Sequence, residues 1–306
     1  MTNRDRVIYV ALVTTHVSSM SRVVRCFYRT LVGMQASNIK STSHVHIVSL
    51  SFFFLNFKHT MSGDGSSGEK TDPGAIRHGN FINYYQFHPA EERVRQLPRG
   101  VWQRRRDAHP ARKYIGLDVG CNAGNLTYML YDFLEKTMSQ DQCPEISLIG
   151  VDLDPILIER AREGNRRPDR LTFECLDFLS DDCGETLRKH LAQLRKTRFD
   201  VVFCFSITMW IHLNYGDDGL EEFLRKACDL SEMIVIEPQP WKCYRNASRR
   251  LRRVKSEDFP LLKELKYTGN PTQHIEDILI RLCDFRKIAV TAGNDWGRTL
   301  LIYERK

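Results

Sequence analysis

Leu117-Asp118-Val119-Gly120-Cys121-Asn122-Ala123-Gly124-Asn125 is the stretch on which the reading of this chain turns. It closes a short apolar run, residues 114–119, and opens onto residues 125–136, where Leu126, Met129, Leu130, Phe133 and Leu134 recur at helical spacing. A strand, a two-glycine turn and a helix make the first unit of an α/β sheet. Gly120 and Gly124 let the backbone bend sharply and approach a ligand with no Cβ in between. A nicotinamide fingerprint would need a glycine where Asn122 stands, so that reading fails. By itself the string suits a plain turn as well as a binding loop.

The pattern continues outward. Residues 147–153 form a second apolar strand, and residues 155–163 a helix with Asp154 as cap and Pro155 as first residue. A third strand covers 171–175 and a polar amphipathic helix 182–196. The strongly apolar run 199–205 is a fourth strand, 220–228 a helix and 233–236 a fifth strand. Residues 285–291 and 299–304 flank the turn Gly293-Asn294-Asp295-Trp296-Gly297 and read as a hairpin. Strands alternating with helices imply a mostly parallel sheet covered on both faces, to which the hairpin adds an antiparallel edge. The expected fold is α/β and Rossmann-like, with seven strands.

Residues 1–60 read differently. They hold one acidic residue, Asp5, and show no sustained period. Their apolar run at 48–57 is far short of the ~20 residues that span a bilayer. Arg4 and Arg6 before residues 7–13 suggest a signal peptide only faintly, because no small-residue cleavage site follows. Met61 opens MSGDGSSGEKTDPG, the composition of a disordered start. We expect 1–60 to be an unstructured or artefactual extension, 61–78 a disordered linker and 79–306 the folded α/β domain. The 306 residues are 42% hydrophobic and 27% charged, an ordinary globular balance. A mean hydropathy of −0.39 excludes an integral membrane protein. The net charge of +7 permits an anionic partner. Nine cysteines without a Cys-x-x-Cys pair suit reduced thiols in the cytosol or nucleus, and no structural metal is expected.

In such a sheet ligands bind at the carboxyl ends of the strands. Asp118, Asp152 and Asp177 stand near three successive strand ends. Asp154 already serves as helix cap, which leaves Asp152 to accept the ribose hydroxyls of an adenosine. Asp177 is placed to accept from an adenine amine, with Phe178 packing on the ring. Asp-x-Gly-x-x-x-Gly with these carboxylates is the shape found around S-adenosylmethionine, which has no pyrophosphate to cradle. A methyltransferase is favoured over a dehydrogenase.

Rarer strings carry a family resemblance. They are residues 79–89 (GNFINYYQFHP), 206–214 (SITMWIHLN), 216–220 (GDDGL) and 237–241 (EPQPW). Together they resemble the bicoid-interacting-protein-three family of RNA methyltransferases, over residues 79–306. The likeness is to the branch acting on RNA 5′-monophosphates, histidine tRNA and precursor microRNA among them, rather than to the branch capping the 5′-triphosphate of 7SK RNA. That second branch has Lys where Met209 stands. The resemblance implies a class I S-adenosylmethionine-dependent fold, cytoplasmic location and a cofactor pocket formed by Tyr85, Arg93, Asn122, Asp152, Leu153, Asp177, Phe178, Phe205 and Ser206. Arg93 would pair with the methionine carboxylate. Asp118 and Gly120 join the pocket from the loop reading.

A terminal phosphate is already an oxyanion and needs orientation more than a strong base. Tyr84, His212, Lys242 and Arg245 are the candidates for that task, although His212 suits a structural role beneath its loop equally well. Lys242, Arg245, Arg249, Arg250, Arg252, Arg253 and Lys255 occur with no acidic residue between 241 and 255. A second basic group holds Arg95, Arg99, Arg104, Arg105, Arg106, Arg112 and Lys113. Charge runs are commonly solvated faces; two of them flanking an acceptor mouth fit an RNA backbone better, with Arg249, Arg250, Arg252 and Arg253 as the contacts. A monomer is expected. The competing readings are a methyltransferase for a small molecule or protein on the same sheet, and a catalytically idle RNA-binding adaptor.

Overall fold

The computed structural model describes residues 75–108, 113–138 and 144–306. The expectations for residues 1–60 and for most of 61–78 fall outside them, as do Arg112 and the side chains of Arg105 and Arg106.

Among the described residues three short helices come first: α1 (Tyr84–Phe87), α2 (Ala90–Gln96) and α3 (Arg99–Ala108). The sheet layers then alternate as β1 (Lys113–Val119), α4 (Asn125–Met138), β2 (Glu145–Asp152), α5 (Pro155–Glu163), β3 (Leu171–Cys175), α6 (Asp181–Gln193), β4 (Val201–Phe205), α7 (Thr208–Asp229) and β5 (Met233–Glu237). After them come α8 (Trp241–Arg253), a 3-10 turn (Pro260–Lys263), α9 (Pro271–Arg281), β6 (Phe285–Val290) and β7 (Leu301–Arg305). The seven strands lie in the order β3-β2-β1-β4-β5-β7-β6. β1 to β5 are parallel, and β7 inserts antiparallel between β5 and β6.

Burial explains the apolar runs. Every residue of β4 and β5 is buried, because helices cover both faces of these central strands. The outer strands β3 and β6 alternate or carry charge, as edges do. One face packs Leu117, Val119, Ile149 and Val151 against Leu187, Phe223 and Ile275. The other packs Leu148, Phe203 and Val235 against Leu130, Leu134 and Trp102. A third, smaller cluster joins Phe81 to Met209, Trp210, Tyr244 and Phe259, fastening the segment before the sheet to α7 and α8.

The expected helix 155–163 is found as α5, with the Asp154 carboxylate accepting from the backbone of Ile156 and Leu157. The helix expected over 220–228 begins twelve residues earlier, at Thr208, and continues across a break at Gly216, whose φ is 75°. Gly216 and Gly219 are poor helix formers, which is why the local pattern places the start of the helix after them. The strand expected from 199 starts at Val201, Phe199 making only an isolated bridge to Ser231. The helix expected over 182–196 is α6, which ends at Gln193, two residues before Arg195 turns to φ 57°. No helix among the described residues is long and apolar enough to cross a membrane.

Candidate active site

The chain leaves β1 toward β2 and later returns to β4 on the other side of β1, so a crevice opens at the carboxyl ends of these strands. Gly120 sits there at φ 76°, where an added Cβ would lie 2.5 Å from Ile207 Cγ2. Asn122 also takes a positive φ, 53°, which asparagine tolerates better than most residues. Its side chain accepts from the Ala123 N–H at 2.8 Å and donates to the Phe81 carbonyl at 3.0 Å. This explains an asparagine where a dinucleotide loop would carry glycine: it ties the preceding segment over the crevice.

Asp152 Oδ2 accepts the Asn122 N–H at 2.9 Å and Oδ1 accepts the Asp154 N–H at 3.0 Å. Burial raises the pKa of this carboxyl, and the two N–H donors oppose that shift. Asp177 Oδ1 accepts the Leu179 N–H at 3.0 Å, while Phe178 sits edge-on to Phe223 at 5.2 Å. Gly120, Asn122, Asp152, Leu153, Asp177, Phe178, Phe205, Ser206, Tyr85 and Arg93 all line this one cleft. Asp152 and Asp177 therefore face the same cleft.

Asp118 does not join them. It pairs in register with Gly150, two residues short of Asp152, so it lies back from the sheet edge. Its carboxylate is 1% exposed and accepts from Thr127 Oγ1 of α4 at 2.6 Å. Burial pushes its pKa up to about 7. Asp118 ties β1 to α4 and does not line the cleft.

Arg93 lines the cleft from α2, and its guanidinium is already engaged by the protein. Nε donates to Glu237 Oε2 at 3.0 Å, Nη1 to the His88 carbonyl at 3.2 Å, and Nη2 to the Tyr84 hydroxyl at 2.7 Å and Ser206 Oγ at 3.1 Å. Neither Arg93 nor Glu237 has exposed side-chain surface. Ser206, at φ 57°, donates its hydroxyl to Glu237 and accepts from Arg298. Non-glycine residues held at positive φ cluster where surrounding structure over-determines them.

A second cleft adjoins the first, with Tyr84 and Trp210 in the wall of both. It is lined by His88, Met209, Gln239, Lys242, Arg250 and Arg298 among others. Arg298 is almost buried there, its guanidinium kept charged by Tyr84 and Glu237 against the effect of burial. Burial and the neighbouring Arg298 and Arg93 pull His88 down to about 4, so it is neutral at physiological pH. Because Tyr84 accepts from Arg93, its own hydroxyl proton is left to donate. Gln239 accepts from the Met209 N–H at 3.1 Å and so braces the start of α7 beneath this cleft.

The remaining expected residues divide. His212 has no exposed surface: Nδ1 is 3.0 Å from the Tyr244 hydroxyl and Nε2 2.8 Å from Asp217. One nitrogen ties α7 to α8 and the other bridges the Gly216 break within α7, so neither is left to orient a phosphate. Helix α8 turns Lys242 and Arg250 toward the second cleft, whereas Arg245 lines neither cleft. Arg249 bonds Asn246 at 3.3 Å on the exposed face, and Arg252 lies 3.6 Å from Asp258. Arg253 is exposed at the last turn. Of the second basic group, Lys113 begins β1, at the end of the sheet opposite the cleft, 4.0 Å from Glu145. Lys113 therefore does not stand at the mouth. Arg95 pairs with Glu92 at 2.7 Å.

Glu237, Gln239, Trp296 and Arg298 had no role assigned from the sequence. Glu237 follows an apolar strand just as Asp152 does, so the same rule would have found it. Nothing local marks Arg298.

The Bicoid-interacting protein 3 (Bin3) family profile matches residues 199–305, and a methyltransferase domain profile matches residues 117–231. The chain is 38% identical over 239 residues to the pre-miRNA 5′-monophosphate methyltransferase of Xenopus laevis, covering 76% of this chain and 94% of that one. It is 40% identical over 240 residues to the RNA 5′-monophosphate methyltransferase of Homo sapiens, covering 76% and 82%. The 7SK snRNA methylphosphate capping enzyme of Mus musculus is 25% identical over 58% of this chain and 33% of its own length. A methyltransferase sheet, the crevice at its carboxyl edge and these relatives agree, and the chain belongs to the Bicoid-interacting protein 3 family of methyltransferases.

Proposed function

We propose that the protein transfers a methyl group from S-adenosylmethionine to the 5′-terminal monophosphate of an RNA. The observation that carries this reading is the adjacency of two unlike clefts. One is walled by Asp152, Asp177 and Phe178; the other holds Arg298, Lys242 and Arg250; Tyr84 and Trp210 stand between them. The relatives' activity on 5′-monophosphate RNA fits the second, cationic cleft.

The first cleft fits the methyl donor by the chemistry of its walls. Each Asp152 oxygen accepts one backbone N–H and keeps a lone pair for a ribose hydroxyl. Asp177 would accept from the adenine amine and Phe178 would pack on the ring. Arg93 lines the same cleft from α2 and would meet the methionine carboxylate with whatever donor capacity Glu237, Tyr84 and Ser206 leave. When bound, S-adenosylmethionine supplies a methyl group on a sulfonium, which a phosphate oxygen takes by in-line displacement as the carbon–sulfur bond breaks.

The protein's task is then alignment, which supplies much of the rate in such a displacement. Arg298, Lys242 and Arg250 would hold the phosphate, and the Tyr84 hydroxyl would donate to one of its oxygens. No general base is needed, since a phosphate monoester is largely a dianion above its second pKa near ~6. Neutral His88, packed 4.7 Å from Trp296, adds no competing charge. The buried apolar Met209 in the same wall suits one phosphate better than three.

Beyond the end, Arg249, Arg252 and Arg253 along α8 would follow the RNA backbone away from the cleft. We infer that histidine tRNA and precursor microRNA are the substrates, on the family resemblance, and that the enzyme acts as a cytoplasmic monomer without a metal. Sedimentation and cell fractionation test the last points. Among the described residues no His, Cys, Asp and Glu cluster of three is arranged around a metal position. The direct test supplies radiolabelled S-adenosylmethionine with one RNA carrying a 5′-monophosphate, triphosphate or hydroxyl. Label on the monophosphate alone is expected; label on the hydroxyl form refutes the reading, and preference for the triphosphate moves the protein to the capping branch.

A further inference from the structure

We propose that Glu237 is a positioning residue that couples the two clefts, so that a change in the phosphate-binding wall is felt by the bound methyl donor. The proposal rests on the two-cleft reading above and extends it to a residue that touches neither ligand.

Glu237 ends β5 at the centre of the sheet edge and has no exposed surface. Its Oε2 receives Arg93 Nε at 3.0 Å and the Ser206 hydroxyl, and Arg298 Nη1 stands 3.8 Å away. Its Oε1 receives Asn294 Nδ2 at 3.0 Å and Trp296 Nε1 at 3.2 Å. The four lone-pair directions of a carboxylate are thus occupied by donors from α2, the β4–α7 junction and the β6–β7 turn. Burial alone would raise its pKa, but Arg93, Arg298 and the Ser206 hydroxyl outweigh it and keep the group ionised.

The consequence lies in where the two guanidiniums point. Arg93 lines the first cleft and Arg298 the second. They come from opposite ends of the domain and meet at one anion and one hydroxyl, Ser206 Oγ accepting from both. Two positive charges against one negative leave a single positive charge to be shared between the clefts. Drawing Arg298 toward a phosphate weakens its hold on Glu237 and Ser206, and these then bind Arg93 more fully. Coupling of this kind needs a shared element with discrete arrangements, and here that element is the Ser206 hydroxyl, which is anchored on Glu237 and accepts from both guanidiniums. A carboxylate that merely filled space at the sheet edge would show no such link.

The test is a double-mutant cycle on the full chain, read by calorimetry with S-adenosylhomocysteine and no RNA. Arg298→Ala lies outside the first cleft, yet it is expected to change S-adenosylhomocysteine affinity by about fivefold or more, the usual lower range of coupling between sites. In a Glu237→Gln background the same substitution is expected to have little further effect. Additive effects, or an unchanged affinity in Arg298→Ala, overturn the proposal. If Glu237→Gln fails to fold, Asn294→Ala serves instead: it removes one of the two donors to Oε1 together with the acceptor of the Arg298 backbone N–H, and leaves the hydrogen bonds of both guanidiniums in place. It is expected to raise KM for both substrates with a smaller change in kcat. A loss of melting temperature with both KM values intact contradicts the coupling. Because the calorimetry contains no RNA, it reads Glu237 even if the acceptor proves not to be an RNA phosphate, an outcome the end-group assay detects separately.

Discussion

The Asp152 carboxylate accepts the backbone N–H of Asn122 at 2.9 Å, so the end of β2 holds the loop that leaves β1. The same carboxylate faces the first cleft, and loop geometry and cofactor binding therefore depend on one side chain. Asp152→Ala is expected to lower S-adenosylhomocysteine affinity by roughly 10- to 100-fold, the range for losing hydrogen bonds to a charged group. Asp177→Ala, which lies farther out and holds only the Leu179 N–H, is expected to cost less, about tenfold. Calorimetry on both variants checks the ranking; equal affinity in Asp152→Ala and wild type would remove Asp152 from the site.

Asp118 gives the fold a pH signature. Burial raises its pKa from 3.8 to about 7. A carboxyl raised in the folded state contributes stability that is complete below about pH 4 and is lost as pH climbs through about 7. Wild type is therefore expected to lose stability relative to Asp118→Asn over that window, by up to about 4 kcal/mol. Urea melts at several pH values measure this. A difference that does not vary with pH would mean Asp118 is ionised throughout, as a ligand-facing carboxylate would be.

His212 is expected to matter for stability and not for chemistry. Its replacement by Ala leaves Asp217 and Tyr244 without their buried partner, which should cost about 2–4 kcal/mol. The kcat of the folded fraction should hold within a factor of about two. A large fall in kcat at unchanged melting temperature would return His212 to the catalytic apparatus.

The basic helix is expected to act through salt-sensitive contacts. Changing Arg249, Arg250, Arg252 and Arg253 together to Ala should weaken RNA binding and flatten its salt dependence, by up to about 0.7–0.9 in log-log slope per lost phosphate contact. S-adenosylhomocysteine affinity should be spared. Arg250→Ala alone should lower kcat/KM more than Arg249→Ala, because Arg250 faces the second cleft and Arg249 the exposed side. Equal loss of RNA and cofactor affinity in the fourfold variant would contradict a role confined to RNA.

What the sequence disclosed follows the range of the interactions involved. Helix α5 was legible residue for residue, since Asp154 and Pro155 set its start within one turn. That Asp152, Asp177 and Phe178 line one cleft was legible because each stands beside the end of an apolar strand. Asp118 misled for the same reason: strand ends are staggered, and only the register Asp118–Gly150 shows it set back from the edge. Helix α8 hid behind its charge, its buried Tyr244, Ala247, Ser248 and Leu251 being outnumbered by Lys and Arg. The Arg93–Glu237 pair joins residues 144 positions apart, and no local pattern announces it. Arg298 enters the second cleft through the hairpin turn, whose path depends on β7 pairing with β5.

Where the methyl group goes distinguishes a phosphate acceptor from any other. Mass spectrometry of the 5′-terminal nucleotide, released from an RNA monophosphate after incubation with the protein and S-adenosylmethionine, locates it directly. A methyl ester on the terminal phosphate, absent when Asp152 is replaced by Ala, is the expected result. Methylation of a base or ribose, with the phosphate unmodified, would contradict it.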